Sequence, residues 1–337
     1  MVAKLLRWAG ALVLLGILAI ALVLAGFRWQ ADRREVQAAA TLAPEGGRFV
    51  RAADVEIFVQ EVGPAGGPAG APAVLFIHGT GAWSETWRDS LNAAAKAGWR
   101  AIALDLPPFG FSRRPADGRY APQEQGKRIL GVIDSLKLPR VVLVGHSFGS
   151  GPAMEAALLA PERIRALVLV DSALGLGDGT PQKEEASALV DGILGARLLR
   201  DALVATFLTN PIFTRKLLES FIADPVHATD ARVAIYRRPN SVTGTTPAIG
   251  LWLPVLLAPA GATPSRDPAS YRALRMPALV IWGDRDTITP LAQGNHLAGL
   301  IPGAKLAVLA GVGHIPQIED PAGFNRTLVA FLSEMNP

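Results

Sequence analysis

Apolar positions follow three rhythms along this chain of 337 residues. The first is an unbroken run. From Trp8 to Phe27 no charged side chain occurs, a stretch of about 20 residues and so long enough to cross ~30 Å of hydrocarbon as a helix. Lys4 and Arg7 precede it, Arg28, Arg33 and Arg34 follow, and Trp8 and Trp29 fall where interfacial aromatics belong. The run predicts a transmembrane anchor over 1–30, followed by a charged, alanine-rich stalk over 31–47. A cleaved signal peptide is the competing reading. Its apolar core ordinarily spans roughly 7–15 residues, and the small-x-small pair Ala38 and Ala40 lies well downstream of the run. Both flanks carry similar positive charge, so they assign no orientation.

The second rhythm starts at Arg48, where short aliphatic runs alternate with helical patterns. Arg48–Ala52 and Val55–Glu61 read as a hairpin, and the Gly-, Pro- and Ala-rich stretch from Gly63 to Ala71 as a loop. Ala73–Ile77, Arg100–Leu104, Val141–Val144, Leu167–Val170, Ala278–Trp282 and Lys305–Leu309 read as further strands, with helices at Gln123–Ser135, after Ser147 and at Pro321–Phe331. Such alternation predicts an α/β fold whose mostly parallel eight-stranded sheet is flanked by helices. The third rhythm, from Leu174 to Ala273, is helical without clear strands. Asn210 and Pro211 suit a helix start, followed by Phe213, Leu217, Leu218, Phe221 and Ile222 at helical spacing, and Leu251-Trp252-Leu253-Pro254 lies in a proline-rich stretch. This predicts a helical lid over 174–273, inserted after the sixth strand into a core formed by 48–173 and 274–337.

Composition narrows the partners. Half of the residues are hydrophobic and 18% are charged, enough for a sizeable core. The net charge of +4 comes from scattered arginines with no basic block, which gives no support to nucleic-acid binding. Cysteine is absent, which excludes disulfides, thiol catalysis and cysteine metal sites. No His/Asp/Glu spacing suggests a metal and no motif suggests a cofactor. The expected partners are a small-molecule substrate and, through the first helix, a membrane.

Candidate chemistry centres on Ser147. Four aliphatic residues, Val141–Val144, run into Gly145-His146-Ser147-Phe148-Gly149, and a helical pattern follows at once. A strand that reverses abruptly into a helix holds the serine in a strained conformation. Its hydroxyl is then lifted from the sheet edge near a helix N-terminus, which favours developing negative charge. His314, in Gly311-Val312-Gly313-His314 after a predicted strand, is the candidate base.

The chain from about Arg48 onward resembles the α/β-hydrolase superfamily. Five landmarks occur in that family's order: His78-Gly79-Thr80-Gly81, Asp105 to Ser112, Gly145 to Gly149, Gly283 to Pro290, and Gly311 to His314. Pro108 departs from the pattern, where relatives usually carry glycine. The resemblance implies that Ser147 is the nucleophile, His314 the base and Asp286 the acid that orients it. Asp284, in the same loop, and Asp171, where some members place their acid, are its rivals. It further implies an oxyanion hole made by the backbone N–H groups of Thr80 and Phe148. His78 and Asp105 are expected to be structural, and His146 to pack inside the turn. A serine at this position disfavours branches that place aspartate there. The expected reaction is hydrolysis of an ester, thioester or lactone of a mainly apolar substrate. The runner-up is carbon–carbon bond hydrolysis of vinylogous diketones. From another class, an inactive membrane-tethered binding protein is the alternative.

Overall fold

The computed structural model describes residues 2–63, 71–179, 188–257 and 263–335. Most of the predicted loop over 63–71 therefore lies outside the described residues. Eight strands form one sheet: β1 (Gly47–Ala52), β2 (Val55–Val62), β3 (Ala73–Ile77), β4 (Arg100–Leu104), β5 (Val141–His146), β6 (Ile164–Val170), β7 (Ala278–Gly283) and β8 (Lys305–Leu309). Their order is β1-β2-β4-β3-β5-β6-β7-β8. β1 and β2 join antiparallel and the other strands run parallel, so the sheet is the mostly parallel one expected.

Burial explains the aliphatic runs. Every residue of β3 and β5 is buried, because helices cover both faces. The two-residue side-chain period divides them. Leu75, Ile77 and Leu143 enter one core with Ile129, Val132, Met154 and Leu297, whereas Val74, Phe76, Val142 and Val144 enter the other with Trp87, Leu91, Phe324 and Leu328. Truncating a side chain such as Leu143 to alanine at such a site costs about 2–5 kcal/mol.

Between β6 and β7 the described chain is helical. The longer helices there are Ala188–Gly195, Arg197–Phe207, Thr214–Phe221, Asp230–Arg237 and Thr245–Leu256. One helix starts later than its pattern suggests. Asn210 accepts the Ile212 N–H (3.1 Å) in a turn of its own, and the helix begins at Thr214.

The N-terminal helix runs from Val2 to Arg34, beyond the apolar stretch, and Arg28 and Asp32 pair one turn apart within it (2.6 Å). Its Leu6–Arg34 portion is long and apolar enough to cross a membrane, with a mean hydropathy of 2.7 over an 18-residue stretch, properties that a signal sequence shares. The segment read as a stalk lies against the rest of the chain. Arg34 Nε donates to the Asn240 carbonyl (3.1 Å), Gln37 forms a bridge with Val242, and Ala31 and Glu35 are buried.

Candidate active site

The turn from β5 into the Ser150–Leu159 helix sets the centre of the site. Ser147 has φ +50°, a left-handed conformation that a residue with a Cβ adopts at a cost, and the surrounding packing enforces it. The flanking glycines are required by close approach. A Cβ on Gly145 would lie 2.8 Å from the Ser150 Cα, and one on Gly149 would overlap the His78 carbonyl oxygen. The loop after β3 is equally tight, since a Cβ on Gly79 would sit 2.9 Å from the Ser147 Cβ.

Three side chains predicted from the sequence meet here. Ser147 Oγ lies 2.8 Å from His314 Nε2, and His314 Nδ1 lies 2.7 Å from Asp286 Oδ2. All three residues are buried. Asp286 also accepts the Ile288 and Thr289 N–H groups (2.8 and 2.9 Å) and the Thr289 hydroxyl (2.6 Å). Burial alone would raise its pKa, but the His314 contact and the Thr289 donors bring it below the ordinary carboxylate value. A carboxylate held ionised beside Nδ1 keeps the proton there and leaves Nε2 free to accept from Ser147.

The rival acids sit elsewhere in the network. Asp284 Oδ1 accepts the Gly311 N–H (2.7 Å) and closes a surface turn. Asp171, at φ +39°, accepts the Gly283 N–H (2.9 Å) through Oδ1. Burial, and then the neighbouring Asp286 charge, push the Asp171 carboxyl well above its usual range. Asp171, Asp286 and His314 have potential ligand atoms within 4.8 Å of one another. Asp286 and His314 are already engaged with each other in that group.

Thr80 lines the cavity together with Ser147, and no hydrogen bond from the Thr80 or Phe148 N–H to a protein group occurs among the described residues. Both donors remain available to a ligand oxygen. His78 braces their loop, with Nδ1 donating to the Gly79 carbonyl (2.8 Å) and Nε2 accepting the Leu106 N–H (2.9 Å). Burial brings His78 down to about 4, so it is neutral. Asp105 accepts the Ser84 and Phe111 N–H groups (both 2.7 Å), and burial raises it to about 6. The Pro107–Pro108 bond beside it is cis.

Some contributors carry no sequence signal. His146 Nε2 donates to the His314 carbonyl (2.7 Å) and so holds the loop of the candidate base. Burial, with the neighbouring His314, lowers His146 to about 3. Glu319 accepts the Gly313 and Ile315 N–H groups (2.9 and 3.0 Å) on either side of His314, and the Ala223 N–H (2.7 Å). A glutamate five residues beyond a catalytic-looking histidine is unremarkable until the loop folds back on it.

Above Ser147 lies a cavity of about 230 Å³, walled largely by Leu217, Leu218, Phe221, Ile249, Trp252 and Leu253. Trp252 stands edge-on to both Phe109 (4.9 Å) and Phe148 (5.0 Å), which joins the helical insertion to the nucleophile turn.

A nucleophile turn at the carboxyl edge of this sheet, with a histidine and an acid on later loops, defines a hydrolase of the α/β type. The chain belongs to the family described by the alpha/beta hydrolase fold, which matches residues 72–321. It is 33% identical over 298 residues to 2-hydroxymuconate semialdehyde hydrolase of Pseudomonas sp. (strain CF600), covering 87% of this chain and 95% of that protein. Among solved structures, the meta-cleavage product hydrolase of Pseudomonas fluorescens IP01 is similar with a TM-score of 0.66 and 26% identity, over 86% of this chain and 98% of that one. A membrane phospholipase A, described as a bacterial virulence factor, is similar in fold with a TM-score of 0.67 and 24% identity. That similarity spans 98% of both chains, so it takes in the N-terminal helix.

Proposed function

We propose that this hydrolase cleaves an ester of an amphiphilic, mainly apolar substrate through an acyl-enzyme, and that its N-terminal helix tethers it to a membrane. The observation that carries the reading is the continuous Ser147–His314–Asp286 hydrogen-bond chain at the base of an apolar cavity. In this scheme Ser147 Oγ attacks the ester carbonyl while His314 Nε2 takes its proton. The Thr80 and Phe148 N–H groups receive the negative oxygen, and His314 returns the proton to the leaving alcohol. A water activated by the same histidine then releases the acid. Two features favour an amphiphile. The N-terminal helix packs along the Arg197–Phe207 helix of the insertion. Beside it, Leu198, Phe207 and Ile212 expose large apolar surfaces, as a face held near lipid would.

A second reading is favoured by the curated relatives, named 2-hydroxymuconate semialdehyde hydrolase and 2-hydroxy-6-oxo-2,4-heptadienoate hydrolase. In it the same residues break a carbon–carbon bond of a vinylogous diketone. An organophosphonate probe and a substrate panel test the proposal. Ser147 should be labelled in the full-length protein and labelling should vanish in Ser147→Ala. Long-chain p-nitrophenyl esters should be turned over faster than a vinylogous diketone acid. Preference for the diketone would transfer the conclusion to the second reading, and equal labelling of both proteins would remove the nucleophile.

A further inference from the structure

Among the described residues, Arg114 is a cation with no carboxylate partner in the wall of the cavity that holds Ser147. Its Nη2 donates to the Gly110 carbonyl (3.1 Å), while its Nε is buried and has no hydrogen-bond partner. No aspartate or glutamate lines this cavity. Tyr120, Glu35 and Asp105 act on the guanidinium only through space, and each has other partners: the Tyr120 hydroxyl the Pro115 carbonyl, Glu35 the Thr246 N–H, Asp105 the Ser84 N–H. Burial lowers Arg114 to about 10, which leaves it charged at neutral pH.

The neighbouring groups show the same surplus of donors. Thr214 Oγ1, Tyr236 OH and Trp252 Nε1 belong to residues lining the cavity, are buried, and have no partner among the described residues. Each can donate a hydrogen bond. His146 Nδ1, an acceptor packed near Gly79, is the exception in this wall. A half-buried charge whose Nε is enclosed, beside buried donors without partners, is costly, and the natural complement is an oxyanion. The planar fork of an arginine matches the two oxygens of a carboxylate or phosphate.

We propose that Arg114 is the anion-recognising group of this cavity, and that the substrate carries a carboxylate or phosphate on an otherwise apolar body. The inference rests on Ser147 being the nucleophile of the same cavity, and it applies to an amphiphilic ester and to a diketone acid alike.

The test uses full-length protein in a non-ionic detergent and measures how decyl phosphate, decanoate and decanol slow phosphonate labelling of Ser147. One or both anions should protect at concentrations about tenfold lower than the alcohol, equivalent to ~1.4 kcal/mol. The comparison between phosphate and carboxylate identifies the anion. Arg114→Met should bring the anion-to-alcohol ratio close to one, and Arg114→Lys should retain part of it, because a point charge lacks the fork. The ratio within each variant does not depend on its basal labelling rate. Equal protection by all three compounds in the wild type overturns the proposal, as does a preference that survives Arg114→Met. Thermal shifts with the same compounds separate the two levels of the reading. An anion-selective, Arg114-dependent shift without Ser147 labelling keeps the subsite and removes the serine mechanism.

Discussion

Glu35, just past the long N-terminal helix, accepts the backbone N–H of Thr246 (2.9 Å) and also its hydroxyl, at the start of the Thr245–Leu256 helix. That helix supplies Ile249, Trp252 and Leu253 to the cavity wall. The residues that follow the membrane-length helix are therefore structural parts of the substrate pocket. Glu35→Ala should lower stability by about 1–3 kcal/mol, because it leaves a buried donor at a helix N-terminus unsatisfied. A fragment starting at Asp32 should keep these contacts, whereas one starting at Arg48 should unfold at a lower temperature. Thermal unfolding of the two fragments checks this, and identical midpoints would show that the contact contributes nothing.

The same contacts bear on the proposed retention of the N-terminal helix. Cleavage after Ala40, the best small-x-small position, would remove Glu35 together with the Gln37–Val242 bridge. The full-length protein should stay with membranes through a carbonate wash and begin at Met1 or Val2. A mature N-terminus at Thr41 would refute the anchor. Arginines at Leu15 and Ile17 should release the chain or block insertion, each costing roughly 2.5–3.5 kcal/mol at the centre of a spanning helix.

The two buried acids near His314 should respond differently to the same change. Asp286→Asn should reduce kcat by roughly 10⁴, because the amide presents the wrong tautomer of His314 to Ser147. Asp171→Asn should leave kcat within a few-fold, because burial disfavours the charged form of that carboxyl and the amide oxygen still accepts from Gly283. Its raised pKa means that its stabilising contribution is full below the ordinary carboxylate value and is lost as pH rises. The Asp171→Asn variant should therefore gain on the wild type in thermal stability as pH increases. Reversed effects on kcat would place the acid on β6.

His78 and His146 predict an acid-sensitive fold. Burial lowers them to about 4 and about 3, against an ordinary value of ~6.5. The unfolded chain takes up these protons first, so the stability is fully present above ~6.5 and is lost as pH falls toward the folded values. Each group contributes at most about 1.4 kcal/mol per pH unit in that window. In His146→Gln, which keeps a donor for the His314 carbonyl, the stability–pH curve should be shallower between about pH 6 and 4. An unchanged slope in chemical denaturation would remove His146 from this account.

The parts of the protein legible in the sequence are those encoded within a few neighbouring residues. Val141–Val144 reads as a buried strand because both of its faces are apolar. Ser147 stands out because strand, glycine turn and helix follow one another without a gap. The Trp8–Phe27 run is recognisable by length alone. His314 is legible in its Gly-Val-Gly-His loop and Asp286 through the resemblance to the α/β-hydrolase family, and the fold brings His314 to Ser147 and Asp286 to His314. Local pattern was less reliable where a turn competed with a helix, as at Asn210, which closes a turn four residues before the helix starts at Thr214.

Only closure of the chain decided the remainder. Asp286 and Asp171 are both acids at strand ends. Their pKa values shift in opposite directions because burial beside Asp286 dominates at Asp171, whereas His314 and the Thr289 donors outweigh burial at Asp286. His146 supports His314 because a ring on β5 meets a carbonyl from the loop after β8. Glu35 looked like part of a free stalk until Thr246, far along the chain, met it. Arg114 resembled any surface arginine, and its lack of a carboxylate partner among the described residues is defined only by the fold. Short-range periodicity and turn chemistry are properties of a segment. Burial, charge state and hydrogen-bond satisfaction are properties of what surrounds a group, and distant segments supply those surroundings.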